Sequence, residues 1–377
     1  MTKEQSSDTR INPADEPELN KFFRAAIKTQ ASDLHLKVGQ SPKLRIYGQL
    51  KDTTGEIITQ EKMERVIFEV LTAEQKETFQ REGNLDFVYE IGEEGRFRIN
   101  IFRQLGMISM VARRVNTNVP PLDNLQLPPI LKRIANSNQG IVLVTGPSGS
   151  GKTTTIASMI DYINNTRSCH IITIENPVEY LFKDKKAIIS QREIGIDVRD
   201  FDEALKNLVR QDPDVVMVGE MRDAKTVLAA LRAAEGGRLV FGTMYASNST
   251  QAIQRLLDLF PQAERELVRQ TLSLTIRAIV AQVLLPSIKE GIDRIPAVEI
   301  LLVNSAVKKL IAEGREIDML SVIRSSREEG MQDITYHLCE LVKNGSVDTR
   351  EAYRCAPNAD ELKMAIKGIK ADTTSIL

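Results

Sequence analysis

Residues 141–155 read IVLVTGPSGSGKTTT, and they are the part of the sequence that indicates the fold most clearly. Its first residues form an apolar run typical of a buried strand, and GPSGSGKT fits the pattern GxxxxGK[ST]. Glycines let the backbone curl so that its N–H groups, with the N-terminus of the next helix, face anionic oxygens. The stretch therefore predicts a strand, a phosphate-binding loop and a helix. A glycine-rich turn that only opens a helix is the alternative.

The loop contains the residues that we expect to contact a nucleotide. They are Gly146, Pro147, Ser148, Gly149, Ser150, Gly151, Lys152, Thr153 and Thr154. Lys152 is expected to reach the outer phosphates, and the Thr153 hydroxyl is expected to bind Mg²⁺. Such loops serve kinases, GTPases, helicases and motors, so the residues around the loop must narrow the function.

Two further apolar runs end in a carboxylate. They are HIITIE, residues 170–175, which ends at Glu175, and DVVMVGE, residues 214–220, which ends at Glu220. Ligands of open α/β sheets sit at the carboxyl ends of strands, so both acids are candidates for the site. One acid can orient the metal while the other polarises the attacking water, with Glu220 in the magnesium shell or on a water. A buried strand ending in a surface acid is the alternative.

Composition predicts a globular chain of two domains, because 377 residues exceed one typical domain. Apolar residues make up 42% and charged residues 27%, and the net charge of -1 offers no cationic excess for nucleic acid. Cys169, Cys339 and Cys355 lie far apart without a CxxC pair, so neither a zinc cage nor a disulfide framework is expected. The reducing cytoplasm is the predicted compartment.

The spacing of apolar residues along the chain predicts where each domain begins and ends. Residues 1–19 form a polar tail without a signal peptide, 20–115 an α+β domain with an antiparallel sheet, 116–130 a proline-rich linker, and 131–377 an α/β domain. In the last domain, apolar runs alternate with helical segments, which is typical of a parallel sheet of the RecA-like kind. LSLTIRAIVAQVLLP from Leu272 is too short for a membrane span and is predicted to be a buried helix, with mostly helical structure after it.

The sequence leaves the roles of several charged residues of the first domain open. Arg96, Arg98, Arg113 and Arg114 lie on a predicted hairpin, where they are either solvated strand residues or, in a ring, fingers that reach a neighbouring site. Asp33 and His35 alternate on one face of a strand. They are too few to hold a metal alone, so we favour a polar interface role for them.

An ordered series of motifs carries a family resemblance over about residues 20–370. The series is ASDLHL, GPSGSGKTTT, TIENPVEY, QREIG, RQDPDVVMVGEMRD, FGTMYASNSTQAIQRLLDLFP and AVKKLIAE. It resembles the type IV pilus retraction ATPases of the PilT/PilU family in the secretion-ATPase superfamily. MVARRVNTNVPPLDNLQLP and the segments after residue 327 look closer to the PilU type. The tetracysteine zinc module of the pilus-assembly ATPases is absent.

The resemblance implies a motor. Its members are hexameric rings of a PAS-like N-terminal domain and a RecA-like ATPase domain, which hydrolyse ATP with Mg²⁺ and draw pilins from the fibre. The implied partners are other copies of the chain, a PilT-type retraction ATPase that a PilU-like subunit assists, and the inner-membrane platform protein. The implied location is cytoplasmic, peripheral to the inner membrane at the pilus base. Nucleic acid and a transmembrane segment are not expected.

The family's residues map onto this sequence with two departures. The phosphate-loop lysine is Lys152, the catalytic glutamates are Glu175 and Glu220, and the arginines are Arg98 and Arg113. The family's IEDP reads IENP here, with Asn176, and its TLH reads TMY, with Tyr245. Loss of one preorganised polar contact can cost on the order of 10² to 10³ in rate.

These departures keep a second hypothesis open beside the motor. It is a nucleotide-binding, weakly catalytic ring component that regulates or couples to an active pilus motor. A RecA-like helicase or recombinase is a third candidate, which the neutral charge balance does not favour.

Overall fold

The computed structural model describes residues 16–46, 48–92 and 94–369. The chain divides into two compact units, Met1–Thr117 and Asn118–Leu377. Residues 1–15 of the predicted tail lie outside the described residues, whereas Leu19 is fully buried in the first helix. Most of the predicted linker belongs to the second unit, where Leu122 is buried at the start of a 3-10 turn. No helix within the described residues is long and apolar enough to cross a membrane.

The first unit is an antiparallel sheet with helices packed on it, as predicted. Its helices are α1 Leu19–Lys28, α2 Gln60–Val70 and α3 Ala73–Glu82. Its strands are β1 Asp33–Lys37, β2 Lys43–Ile46, β3 Gln49–Asp52, β4 Asn84–Ile91, β5 Gly95–Gln104 and β6 Met107–Val115. They are ordered β3-β2-β1-β6-β5-β4, and every neighbouring pair is antiparallel.

Alternation along β5 explains which face of this sheet is buried. Phe97, Ile99 and Ile101 are fully buried, while the residues between them are partly exposed. Phe23 of α1 stacks on Phe97 with ring centroids 4.2 Å apart, so the helices cover that face. Arg96 and Arg98 of β5 consequently lie on the opposite face, together with Arg113, the cross-strand partner of Arg98, whereas Arg114 pairs with Phe97.

The second unit contains the remaining helices and strands. Its strands are β7 Gly140–Thr145, β8 His170–Glu175, β9 Ile188–Glu193, β10 Val215–Val218, β11 Leu239–Met244, β12 Ile276–Pro286 and β13 Arg294–Leu302. Its helices are α4 Ile130–Ala135, α5 Lys152–Thr166, α6 Phe201–Leu208, α7 Ala224–Glu235, α8 Ser249–Asp258, α9 Gln262–Thr275, α10 Ser305–Ala312, α11 Met319–Ser325, α12 Ile334–Lys343, α13 Thr349–Cys355 and α14 Ala359–Ile366.

The seven strands form one sheet in the order β13-β12-β7-β11-β10-β8-β9. All neighbours are parallel except β12 and β13. Strands β7, β10 and β11 are buried along their whole length between two apolar clusters, which is why their sequences are unbroken apolar runs. The parallel sheet brings the carboxyl ends of β7, β8, β10, β11 and β12 to one edge.

The predicted helix after Leu272 is wrong. Helix α9 ends at Thr275, and the chain continues as strand β12 between β7 and β13. Ile279 and Val280 point to opposite faces of the sheet and are both fully buried, so the strand carries no alternation that would distinguish it from a buried helix. The predicted mostly helical remainder also contains β13 before α10 begins.

Candidate functional site

A cavity of about 630 Å³ lies in the second unit at the carboxyl edge of the parallel sheet. Residues 148–155 of the phosphate loop and of α5 form one wall. The other lining residues include Gln282 of β12 and several residues at or just after strand ends, namely Glu175, Asn176, Glu179, Glu220, Arg222 and Tyr245. The structure thus brings together the loop and the two acids that the sequence placed at strand ends.

The loop needs glycine where it passes closest to β12. Gly146 has a φ of 148°, and a Cβ atom there would lie 2.2 Å from the Gln282 carbonyl oxygen. Gln282 donates from Nε2 to the Ser150 carbonyl at 2.6 Å and accepts from Thr155 Oγ1 at 2.9 Å. This buried amide ties the end of the loop to the start of α5, because it bonds the loop backbone at Ser150 and the helix at Thr155.

Lys152 is the first residue of α5 and folds back over the loop. Its Nζ donates to the carbonyls of Gly146 and Pro147, both at 2.9 Å. The same Nζ lies 4.6 Å from the centroid of the Tyr245 ring. Burial lowers the pKa of Lys152, while the charges of Glu220 and Glu179 raise it. An ammonium held here, at the N-terminus of a helix, suits a site for phosphate.

The loop that follows β8 contacts the start of α5. Thr153 Oγ1 donates to Glu179 Oε1 at 3.3 Å. Thr154 Oγ1 and the Tyr180 hydroxyl form a hydrogen bond of 2.9 Å. The hydroxyl predicted to bind the metal therefore faces a carboxylate from the segment after Glu175.

Glu175 is the deepest acid of the site and is only 3% exposed. Its Oε1 accepts hydrogen bonds from Thr173 Oγ1 at 2.6 Å and from Gln191 Nε2 at 3.3 Å. Burial raises the pKa of Glu175 to about 7, although both hydrogen bonds lower it. A carboxylate with this pKa can accept a proton near neutral pH, as a general base must.

Glu220 lies beside Glu175 because their strands are neighbours. Val218 of β10 pairs with Ile174 of β8, and the Gly219 N–H donates to the Ile174 carbonyl at 2.8 Å. Glu220 Oε2 lies 2.5 Å from the Arg222 guanidinium. The two acids differ in environment, since Glu175 is buried among neutral donors and Glu220 is partly exposed and paired with a cation.

The oxygen donors of the cavity fit Mg²⁺. Thr153 and Glu220 offer a hydroxyl and a carboxylate, the hard ligands that this ion prefers. No group of three or more His, Cys, Asp or Glu that could cage a metal occurs among the described residues. Magnesium suits such a sparse set, because it keeps several waters and is commonly bound by few protein ligands together with substrate phosphates.

The predicted arginines lie in the first unit, opposite each other on β5 and β6. Arg98 and Arg113 are cross-strand partners. Arg113 Nε is 2.8 Å from the buried carboxylate of Asp33, and Arg98 Nε is 3.8 Å from Asp86. Asp33 also lies 3.6 Å from Arg45, so two arginines neutralise it. Whether Arg98 and Arg113 act on a bound nucleotide stays a prediction.

Sequence reasoning missed three residues that shape the site. Gln282 braces the phosphate loop, Glu179 accepts from Thr153, and Arg222 pairs with Glu220. Gln282 carried a signal, because it is a polar residue inside an otherwise apolar run. The pairings of Glu179 and Arg222 depend on loop conformation, which local sequence patterns do not determine.

Known proteins resemble this chain over most of its length. The family model described as "Type II/IV secretion system protein" matches residues 12–354. The type IV pilus retraction ATPase PilT of Pseudomonas aeruginosa is 36% identical over 335 residues, which are 89% of this chain and 97% of that protein. The type IV pilus ATPase PilU of the same organism is 35% identical over 350 residues, 93% of this chain and 91% of that protein.

A solved structure extends the likeness to three dimensions. The crystal structure of the pilus retraction motor PilT with bound ADP is 39% identical and superposes with a TM-score of 0.85, covering 92% of this chain and 99% of that one. The superposition confirms the predicted fold class, a RecA-like α/β domain after a smaller α+β domain.

Proposed function

Because the chain belongs to the type II/IV secretion system protein family and is a homologue of PilT and PilU, we propose that it is an ATP-hydrolysing motor subunit for type IV pilus retraction. The observation that carries the proposal is the cavity in which the phosphate loop, Glu175 and Glu220 meet. The ADP in the PilT crystal structure supports an adenine nucleotide as the ligand.

Binding rests on the loop and on α5. The backbone N–H groups of residues 148–154, which include the N-terminus of α5, offer donors to phosphate oxygens. Lys152 exchanges its two carbonyl partners for the outer phosphates and neutralises their charge. Gln282 keeps the loop in shape while this exchange takes place.

Hydrolysis rests on Glu175. Its Oε2 takes a proton from the attacking water, while Oε1 stays bonded to Thr173 and Gln191. The proton transfer is favourable near neutral pH because burial has raised the pKa of this carboxyl to about 7. Glu220 assists from the neighbouring strand.

Thr153 directly, and Glu220 indirectly, would hold the Mg²⁺ that nucleotide hydrolysis of this kind uses. When bound, the ion neutralises charge that develops on the phosphate oxygens. The Thr153 hydroxyl could offer a lone pair to the ion while its proton stays on Glu179 Oε1, which lies 3.3 Å away.

Arg98 and Arg113 are proposed to complete the site. Both guanidinium groups are planar donors that suit a phosphoryl group in the transition state. Their side chains are 33% and 69% exposed, so both are accessible to a ligand or to a neighbouring subunit.

The proposed assembly is a homohexamer that lies in the cytoplasm at the inner-membrane base of the pilus. The proposed partners are a PilT-type ATPase, which this chain assists as a PilU-like subunit, and the platform protein. Support for a pilus role comes from the names of the relatives and from coverage of more than 90% of their length.

A second candidate is a nucleotide-binding ring component with weak catalysis that regulates an active motor. Two observations favour it. Asn176 lines the cavity where the motif pattern expects an aspartate, and the Tyr245 ring lies against Lys152. Both features replace a charged or titratable group with a neutral one.

A strain experiment separates the two candidates. The gene is replaced by variants Lys152→Ala and Glu175→Gln, with exposed Lys225→Ala as the control, and surface fibres and twitching are scored. A motor loses retraction with either site variant, because Glu175→Gln keeps nucleotide binding but removes the base. Retraction that survives Glu175→Gln but not Lys152→Ala supports the ring component. Retraction that survives both overturns the proposal.

A further inference from the structure

The contact between Lys152 and Tyr245 follows from the register of the sheet. Tyr245 comes directly after β11, and Met244 pairs with Thr145, which precedes Gly146. The ring therefore stands beside the phosphate loop. The Tyr245 carbonyl accepts from Arg255 Nη1 at 2.6 Å, which ties its backbone to α8.

The Lys152 ammonium makes two hydrogen bonds and one aromatic contact within the protein. Two of the three Nζ–H donors reach the carbonyls of Gly146 and Pro147. The Tyr245 ring lies 4.6 Å from Nζ, inside the distance of about 6 Å at which a cation is attracted to an aromatic face. These contacts hold the Lys152 ammonium between the phosphate loop and the Tyr245 ring.

We propose that Tyr245 is a positioning residue that holds the Lys152 ammonium against the phosphate loop and must release it when a nucleotide phosphate binds. The inference rests on the proposed function, since the competing ligand is the nucleotide. On this inference the Tyr245 ring lowers the affinity of the site for the nucleotide and thereby speeds product release. The ring is then more than a departure from the family pattern.

The sign of the effect follows from competition. A contact that the nucleotide must break weakens nucleotide binding by the strength of that contact. A cation–π contact of ordinary strength then corresponds to an affinity change of about 2- to 30-fold. A residue that instead helped to hold the bound nucleotide would change the affinity in the opposite direction.

The test measures binding of a fluorescent ADP analogue to the purified full chain. Tyr245→Ala is expected to lower the dissociation constant by about 2- to 30-fold. Tyr245→Phe keeps an aromatic face and is expected to stay within about twofold of the wild type. A Tyr245→Ala protein that binds as weakly as the wild type, or more weakly, would overturn the inference.

A second measurement detects the contact between Lys152 and Tyr245 in the absence of nucleotide. Acylation of Lys152 by an amine-reactive ester is followed by mass spectrometry, with Lys132, whose Nζ lies 5.9 Å from the Tyr162 ring, as the internal standard. Labelling of Lys152 relative to Lys132 should rise in Tyr245→Ala and stay unchanged in Tyr245→Phe. An equal labelling ratio in all three proteins contradicts the inference.

A wild type that binds no adenine nucleotide overturns both the proposed function and the inference. A wild type that binds, with Tyr245→Ala binding no tighter, overturns the inference alone.

Discussion

Thr173 Oγ1 donates a 2.6 Å hydrogen bond to Glu175 Oε1, two residues along the same buried strand. The bond stabilises the charged carboxylate, whereas burial stabilises the neutral acid, and burial dominates because the pKa of Glu175 is raised to about 7. Thr173 therefore increases the fraction of the proposed base that is deprotonated at neutral pH.

The first prediction concerns the pH dependence of hydrolysis. A base must be deprotonated, so kcat/KM should rise as pH rises through about 7 and level off above it. Thr173→Val removes a bond that lowers the pKa, so the midpoint should move to higher pH and the rate at pH 7 should fall several-fold. Steady-state assays from pH 5.5 to 9 measure both. A Thr173→Val profile with an unshifted midpoint would contradict this role.

The second prediction concerns the loop glycines. Gly146→Ala should abolish nucleotide binding, because the new Cβ would meet the Gln282 carbonyl at 2.2 Å. Gly149→Ala is the matched control, since Gly149 also has a positive φ, of 74°, but no atom lies within 4 Å of the added Cβ. It should cost only the backbone strain of about 1–2 kcal/mol. Equal affinities of the two variants for a fluorescent ADP analogue would refute the packing argument.

The third prediction concerns the arginines of the first unit. If Arg98 or Arg113 serves a neighbouring subunit, its alanine variant should lose about 10³-fold or more in kcat as a homomer. Mixed with Lys152→Ala subunits, the same variant should regain activity, because an intact loop then meets an intact arginine. Exposed Arg81→Ala in the same unit is the control. Inactive mixtures would argue against action between subunits.

The fourth prediction concerns the family departures. The double variant Asn176→Asp and Tyr245→His restores the charged and titratable groups of the motif pattern, and its turnover should exceed that of the wild type by up to about 10²-fold. Phosphate release at saturating ATP measures the change. An unchanged turnover would show that neither position limits the reaction, and the weakly catalytic alternative would lose its support.

Much of the site could be predicted because its residues follow apolar strands. The runs that end at Glu175 and Glu220 form strands of a parallel sheet that are buried except at His170, and such a sheet brings its carboxyl ends together. The hairpin of β5 and β6 was predictable for a different reason. Only one face of the sheet is covered by helices, so buried and partly exposed residues alternate along β5.

The remaining features depend on tertiary contacts that have no local signature. Strand β12 was predicted as helix because both of its faces are buried, which removes the period that separates the two structures. The contact of Tyr245 with Lys152 joins residues 93 positions apart through the pairing of β11 with β7. Likewise, Gln282 reaches the loop only because β12 pairs with β7.

Phosphate release by the purified, oligomeric protein with ATP and Mg²⁺ tests the central claim most directly. We expect a rate well above that of Lys152→Ala, which loses the ammonium that neutralises the outer phosphates, while exposed Lys225→Ala keeps the wild-type rate. A wild type that releases no more phosphate than Lys152→Ala, both alone and with a PilT-type ATPase present, would contradict it.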